Sequence, residues 1–459
     1  MADPASPRQQ LARTLGERDL LYLFVGSVIG SGIFLMPGMI LRQVGGSVGY
    51  SLLVWVLGGA LSLLGALTYA ELAAANPEAG GLYCYIRDGF GRLPAFLYGW
   101  SLLLVIASAT IGALAHAFTA YLHEIIPLSP LGMRVVPVMM IGVVTYVNVW
   151  GTRKSSNLLN VTTLVKAGLI VMLGAALLAV GLRHGGHASE ISGAMGSAFT
   201  GANLASAFGM AMIMVLWAYE GWQFGTYSAG EVINPQKSFP RAFLFGSLIL
   251  VGLYLFAVIA YLAALGPLKA MLTDTIAATA AKEVLGPWAG MAVAAAILVS
   301  TFSSTNSVML TAPRVFFAMA NDKLFFRQLA EIHPRFGTPA FAVLVLGGWS
   351  CILALVGGFE WLSNAVVLIG WIFYGLGAAA IFPLRGRNRD KAMPYRVPGY
   401  PLTPVLFVAA ALAIVGNAVY SAIAEPRQFL YVLVAIGIVL LGLPGYFFWT
   451  RRGTRPQRD

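Results

Sequence analysis

Gly26-Ser-Val-Ile-Gly-Ser-Gly-Ile-Phe34, with Pro37-Gly38 close behind, breaks an apolar segment where a membrane helix would otherwise continue. A second break, Trp217-Ala-Tyr-Glu-Gly-Trp222, puts Glu220 inside another apolar run. Glycine lets backbone leave the helix and approach a ligand with no Cβ in the way. Backbone at membrane depth cannot stay unpaired in lipid, so each break must face protein, water or a ligand. The breaks fall in the first and sixth long apolar segments. Interrupted helices in matching positions of two halves point to a transporter binding site.

The surrounding composition agrees. The chain has 459 residues, 58% hydrophobic and 10% charged, with mean hydropathy +0.79. Soluble domains carry about 25% charged residues, so an integral membrane protein is implied. Apolar runs near the ~20 residues that span a bilayer recur from end to end. Twelve are placed, at 20–43, 46–73, 94–122, 133–151, 156–182, 203–228, 241–266, 286–318, 339–358, 361–384, 402–424 and 428–450. The arm carrying Arg8, Arg13 and Arg18 runs into a full-length apolar segment with no cleavage site behind it, which reads as a retained span.

The net charge of +11 suggests nucleic acid, but its placement argues otherwise. With the N-terminus inside, 22 Lys/Arg fall on the inner side, six on the outer side and Lys166 within a span. Arg153-Lys154, Arg314, the Arg385–Arg396 cluster and the Arg451-Arg452 tail are among the inner groups. This asymmetry is the positive-inside rule and puts both termini in the cytoplasm of an inner (plasma) membrane protein. The excess suits anionic lipid headgroups. Two cysteines, Cys84 in an inner loop and Cys351 in segment nine, support neither a disulfide framework nor a metal site. The longest irregular stretches, 183–202, 267–285, 319–338 and 385–401, leave no room for a soluble domain. The expected organisation is a cytoplasmic arm (1–19), a ten-helix core (20–384), an inner loop with two peripheral helices (385–450) and a basic tail (451–459).

Four motifs resemble one family. Gly26-x-x-Ile29-Gly30-Ser31-Gly32-Ile33-Phe34 is similar to the first helix of the amino acid–polyamine–organocation (APC) superfamily. Tyr69-Ala-Glu71-Leu with Gly80-Gly81-x-Tyr83-x-Tyr85 resembles its second helix and following loop. Trp217–Trp222 with Gly230-Glu231-Val-x-Asn234-Pro235 resembles the sixth helix and its exit. Arg314–Asp322 with His333-Pro-Arg-Phe-Gly-Thr-Pro339 resembles the eighth helix and its loop. Within the superfamily the chain looks most like the L-type amino acid transporters and their bacterial relatives. The resemblance implies an all-α membrane protein of twelve helices, a LeuT-type five-plus-five inverted repeat with discontinuous helices one and six, and amino acid transport.

An amino acid needs donors for its carboxylate and acceptors for its ammonium. A helix N-terminus offers free N–H groups and a partial positive charge. The expected cradle is therefore the N–H groups of Gly30, Ser31 and Gly32, next to Ile29. By match to the family motif, carbonyls of Val28, Trp217 and Glu220, with Ala218 between them, face the ammonium. Trp217 is either a gate over the substrate or bundle packing. Ala109 and Thr110 are candidates for the side-chain pocket. Lys166 lies about ten residues, or ~15 Å, into segment five. An intramembrane charge costs at least ~2.5 kcal/mol and must have partners. Sodium-coupled relatives hold a cation between helices one and eight. Lys166 can supply that charge instead, bridging carbonyls near Gly26 and hydroxyls of Ser303 or Ser304. Sodium-independent transport follows; a purely structural lysine is the plainer reading. Glu220 is either a proton carrier or a structural acid. Glu71 and Glu231 are expected to pair with inner Arg/Lys, and His116 to be a satisfied polar residue.

Other chemistries lack their residues. No Gly-Lys dipeptide exists, hence no Walker A lysine. Gly45-Gly-Ser47-Val-Gly49 fits the nucleophile-elbow pattern without a preceding strand. His184-Gly-Gly-His187 has no further ligands, so neither metal nor cofactor is expected. The resembling animal transporters are disulfide-linked to a glycoprotein through a cysteine between helices three and four. The connection 123–134 here contains none, so no such subunit is expected. The reading is a secondary carrier of neutral L-amino acids, an exchanger first and a proton symporter second, with a binding-only sensor as the rival class.

Overall fold

The computed structural model describes residues 13–150, 152–183, 187–194, 201–333, 338–387, 393, 395–424 and 426–453. Arg8, His184, residues 334–337 of the His333 motif, most of 388–394 and the tail beyond 453 lie outside them. So do the side chains of Arg153, Lys154, Arg451 and Arg452.

The described residues are helical, with one isolated β-bridge. The helices are α1 (Glu17–Val28), α2 (Gly32–Gln43), α3 (Val48–Ala75), α4 (Leu82–Phe90), α5 (Arg92–Ile125), α6 (Pro130–Trp150), α7 (Thr152–Arg183) and α8 (Gly201–Ala218). They continue as α9 (Phe224–Tyr227), α10 (Pro235–Met271), α11 (Ile276–Leu285), α12 (Pro287–Asn321), α13 (Ala340–Val356), α14 (Phe359–Arg387), α15 (Leu402–Ala424) and α16 (Pro426–Gly453). Nine are long and apolar enough to cross a membrane, and α1 with α2, bent by 42°, makes a tenth. The other two predicted spans are the shorter helices α8 and α13. The chain is a multi-pass membrane protein.

Three details differ from the sequence reading. The stretch after Gly80-Gly81 is the helix α4, not a loop. Gly81 takes a positive φ of 44° and turns the chain, and Leu82, Tyr83, Cys84, Tyr85 and Ile86 are then buried on all sides. Part of 267–285 is the helix α11, whose small face of Ala277, Ala278, Ala280 and Ala281 is buried. Small side chains let helices approach closely where lipid provides no hydrophobic drive. The seventh span begins at Pro235, well before the predicted 241.

α1 packs against α7, α10 and α12, while α2 packs on α8 and α10. Ion pairs at one end of the bundle fasten the helix ends. Glu71 accepts from Arg385 at 2.6 and 2.5 Å and from the Val397 N–H at 2.5 Å. Glu231 accepts from Arg314 at 2.5 Å. Arg87 reaches Glu78, Asp88 and Asp322, all within 2.9 Å. Residues before α1 join in. Thr14 and Leu15 donate N–H bonds to the Glu231 carbonyl, and Leu15 accepts from Ile233. The entry to the first broken helix and the exit from the second are thus sewn together.

Glu71 is 1% exposed, so losing Arg385 would strand a buried charge. Removing one partner of a buried pair costs about 3 kcal/mol or more. Arg385→Ala should therefore lower the thermal midpoint of the detergent-solubilised protein by several degrees. An unchanged midpoint would show that the pair is dispensable.

Candidate functional site

A continuous helix would bond the carbonyls of Gly26 to Ile29 with the N–H groups of Gly30 to Ile33. The break at 29–31 removes all four bonds. Gly30 turns back instead and donates to the Val28 carbonyl at 2.8 Å. Two freed carbonyls receive Lys166, whose Nζ lies 3.0 Å from the Gly26 oxygen, 3.0 Å from the Ile29 oxygen and 2.8 Å from Ser304 Oγ. Ser304 also donates to the Ile29 carbonyl at 2.9 Å. A third, Val28, receives the Tyr254 hydroxyl at 3.0 Å. Lys166 is 1% exposed, and its three acceptors account for a charge at that depth.

The donor side is left different. Among the described residues the N–H groups of Ser31, Gly32 and Ile33 have no hydrogen-bond partner. Of the donors expected at Gly30–Gly32, the turn consumes that of Gly30, and the open set runs from Ser31 to Ile33 instead. The acceptor set shifts too. Val28 is engaged by Tyr254 and Gly30, and the Trp217 carbonyl accepts from the Glu220 N–H at 3.1 Å. The carbonyls of Ser27 and Glu220 have no donor among the described residues.

The second break lies directly against the first. α8 stops at Ala218, residues 219–223 are turns, and the chain resumes as α9. Gly221, at φ 118°, and Gly32 make the contact possible. A Cβ on Gly32 would sit 2.3 Å from Ala218 Cα, and one on Gly221 would sit 2.9 Å from the Ser27 oxygen. Between the breaks is a small hollow of about 20 Å³, lined by Ser27, Val28, Gly30, Ser31, Gly32, Thr110, Leu114, Trp217, Glu220, Phe224 and Val308. That is room for roughly one water.

Trp217 closes one side. Its Nε1 donates to Ser31 Oγ at 3.3 Å, and its ring meets the Phe359 ring edge-on at 5.9 Å. Glu220 accepts from the Tyr374 hydroxyl at 2.6 Å and from Gln223 at 2.5 Å. Of the other residues singled out, Thr110 lines the hollow, but its neighbour Ala109 is buried away from it. A helix turns about 100° per residue, so adjacent residues face different directions. Ile29 contributes its carbonyl to Lys166, and Ala218 packs its backbone and Cβ against Gly32. Ser303 does not reach Lys166; its hydroxyl pairs with Thr162 at 2.6 Å. His116 sits on the carbonyls of Ala354 and Gly357.

Sequence reasoning missed Ser27, Tyr254, Tyr374, Gln223 and Phe359. Ser27 and Gln223 stood beside the motifs. The two tyrosines and the phenylalanine come from distant helices and carried no local signal. Ser47 of the nucleophile-elbow pattern caps α3 by accepting the Tyr50 N–H. Burial pushes the Cys84 thiol up, which makes it a poor nucleophile. No group of His, Cys, Asp and Glu suited to a metal exists among the described residues.

The amino acid permease model matches residues 15–441. This chain belongs to the amino acid permease family, within the APC superfamily. It is 31% identical over 445 residues to the serine/threonine exchanger SteT of Bacillus subtilis, covering 96% of this chain and 98% of that one. It is 31% identical to the human Asc-type amino acid transporter 1 (97% and 84% covered). It is 30% identical to the human cystine/glutamate transporter (99% and 88% covered). The chain is an amino acid transporter, not an enzyme.

Gly32→Ala must push the two breaks apart, whereas a Cβ on Gly142 would meet nothing within 4 Å. Gly32→Ala should weaken amino acid uptake by about tenfold or more, and Gly142→Ala should leave it unchanged. Equal uptake by both would show that the nested contact is not needed.

Proposed function

We propose that the hollow between the breaks is the substrate site, and that the chain exchanges neutral L-amino acids by alternating access without sodium. The observation that carries this is the asymmetry of the first break. Its freed carbonyls are largely taken by Lys166, Ser304 and Tyr254, while three adjacent N–H groups stay open. Such a helix start binds an anion, and a carboxylate fits it. The open carbonyls of Ser27 and Glu220 suit the ammonium. Apart from Glu220, the lining side chains are uncharged, which favours a small neutral substrate.

The hollow is too small for an amino acid, so it must widen to take one. Loading requires Trp217 to leave Ser31 and the inner segments to part, which makes Trp217 the gate. Nested breaks in helices one and six support the twelve-span, five-plus-five plan, with the ten-helix core at 20–384 and α15 and α16 peripheral. Lys166 occupies the place between α1 and α12 where sodium-coupled relatives hold their ion, which supports sodium independence. The named exchanger among the relatives supports exchange over net uptake. The basic inner loops support a plasma membrane carrier with both termini in the cytoplasm, and the cysteine-free connection 123–134 supports a carrier with no disulfide-linked subunit. A second reading, proton symport, rests on one observation. The buried Glu220 carboxyl touches both the hollow and the Tyr374 hydroxyl.

Proteoliposomes loaded with single amino acids discriminate these. Exchange requires internal amino acid for uptake of a labelled one, unchanged on replacing sodium by choline. Uptake into empty vesicles driven by an acid exterior would establish symport instead, and no flux with intact binding would mean a sensor. Lys166→Met takes the ammonium from the Gly26 and Ile29 carbonyls and leaves Ser304 to serve both; losing one buried donor costs about 1–3 kcal/mol, so exchange should fall about tenfold or more. Near-normal exchange by that variant would remove the lysine from the mechanism.

A further inference from the structure

A second cavity, of about 450 Å³, lies between α8, α14, α15 and α16. It falls within the roughly 300–1,000 Å³ of ordinary ligand sites. Its walls are mainly apolar, with Met210 and Ile213 from α8, Leu368 from α14, Ala418 from α15 and Val432 from α16. Two polar side chains, Glu360 and Asn364, stand one helical turn apart on the same face of α14. Among the described residues lining it, Glu360 is the only charged one.

Two walls belong to sparsely buried helices. Only 33% of the apolar window of α15 and 11% of that of α16 is buried, and Leu412, Tyr420 and Leu433 are exposed there. The walls formed by α15 and α16 therefore lie next to the bilayer. An apolar space left empty forfeits the contacts of its lining atoms, and an acyl chain restores them. The head of such a molecule would meet Glu360. A carboxylate or phosphate placed there would face the Glu360 carboxylate and, among the described lining residues, no cationic side chain, so an anionic lipid is disfavoured. An ammonium would form a charge-assisted bond with the Glu360 carboxylate and a second with the Asn364 amide oxygen.

We propose that this cavity binds an ammonium-headed membrane lipid, with one acyl chain between α8, α14, α15 and α16 and the ammonium on Glu360 and Asn364. Phe359 is shared between the two sites, lining this cavity while its ring touches Trp217. The lipid site stands on its own chemistry, whatever the candidate substrate site carries.

Native mass spectrometry of the full chain, released from detergent after adding phosphatidylethanolamine or phosphatidylglycerol, tests this. The wild type should retain one phosphatidylethanolamine in preference to phosphatidylglycerol. Glu360→Gln should cut that retention about tenfold while leaving phosphatidylglycerol unaffected. Ala365→Phe, which fills the cavity, should abolish it; Ala418→Leu replaces that variant if it does not fold. Equal phosphatidylethanolamine retention by wild type and variants would overturn the proposal. Equal retention of the two lipids by the wild type would overturn it as well, as would loss of bound L-threonine in Glu360→Gln.

Discussion

A buried ammonium group on peptide carbonyls is the interaction on which this structure turns. Unwinding a helix inside a bilayer exposes acceptors and donors together, and lipid can satisfy neither. Lys166 reaches across from α7 and takes two of the carbonyls left by α1, with Ser304 of α12 as its third partner. The arrangement also removes the main objection to a charge at that depth, since the same acceptors stabilise it. Lysine and break are each costly alone and mutually satisfied together.

That one-sided satisfaction shapes the rest of the site. With the carbonyls occupied, the N–H groups of Ser31, Gly32 and Ile33 remain as the open polarity of the break. Glycine decides how near the second break can come. Gly32 meets Ala218 and Gly221 meets the Ser27 carbonyl, approaches that any Cβ would block. Trp217, braced by Phe359, and Glu220, held by Tyr374 and Gln223, line the hollow. At the far end of the broken helices, backbone bonds between Leu15 and residues 231–233 join the entry of the first to the exit of the second.

Much of this was legible in the residues. The apolar runs, the basic asymmetry, the two glycine-rich breaks and the isolated Lys166 are local or periodic features. Each has one physical reading in a bilayer, because lipid punishes unpaired backbone and unpaired charge. The membrane class, the location of both breaks, the pairing of Glu71 and Glu231 with arginine, and the partners of Lys166 followed from that. Errors of detail were local. The Gly30 donor was spent in a turn, Ala109 faced away from its neighbour Thr110, and two short helices hid in segments that looked like loops.

What the residues alone determined was where the helix must stop and what chemistry the stop must contain. What only the tertiary structure decided was which groups satisfy it. Tyr254, Tyr374 and Phe359 lie on helices far along the chain, and nothing in their local sequence marks them. Their roles arise from packing, since a hydroxyl or ring gains a function only when a distant backbone group comes within about 3–6 Å. The same is true of the cavity beside Glu360, which four helices create and no single one foretells.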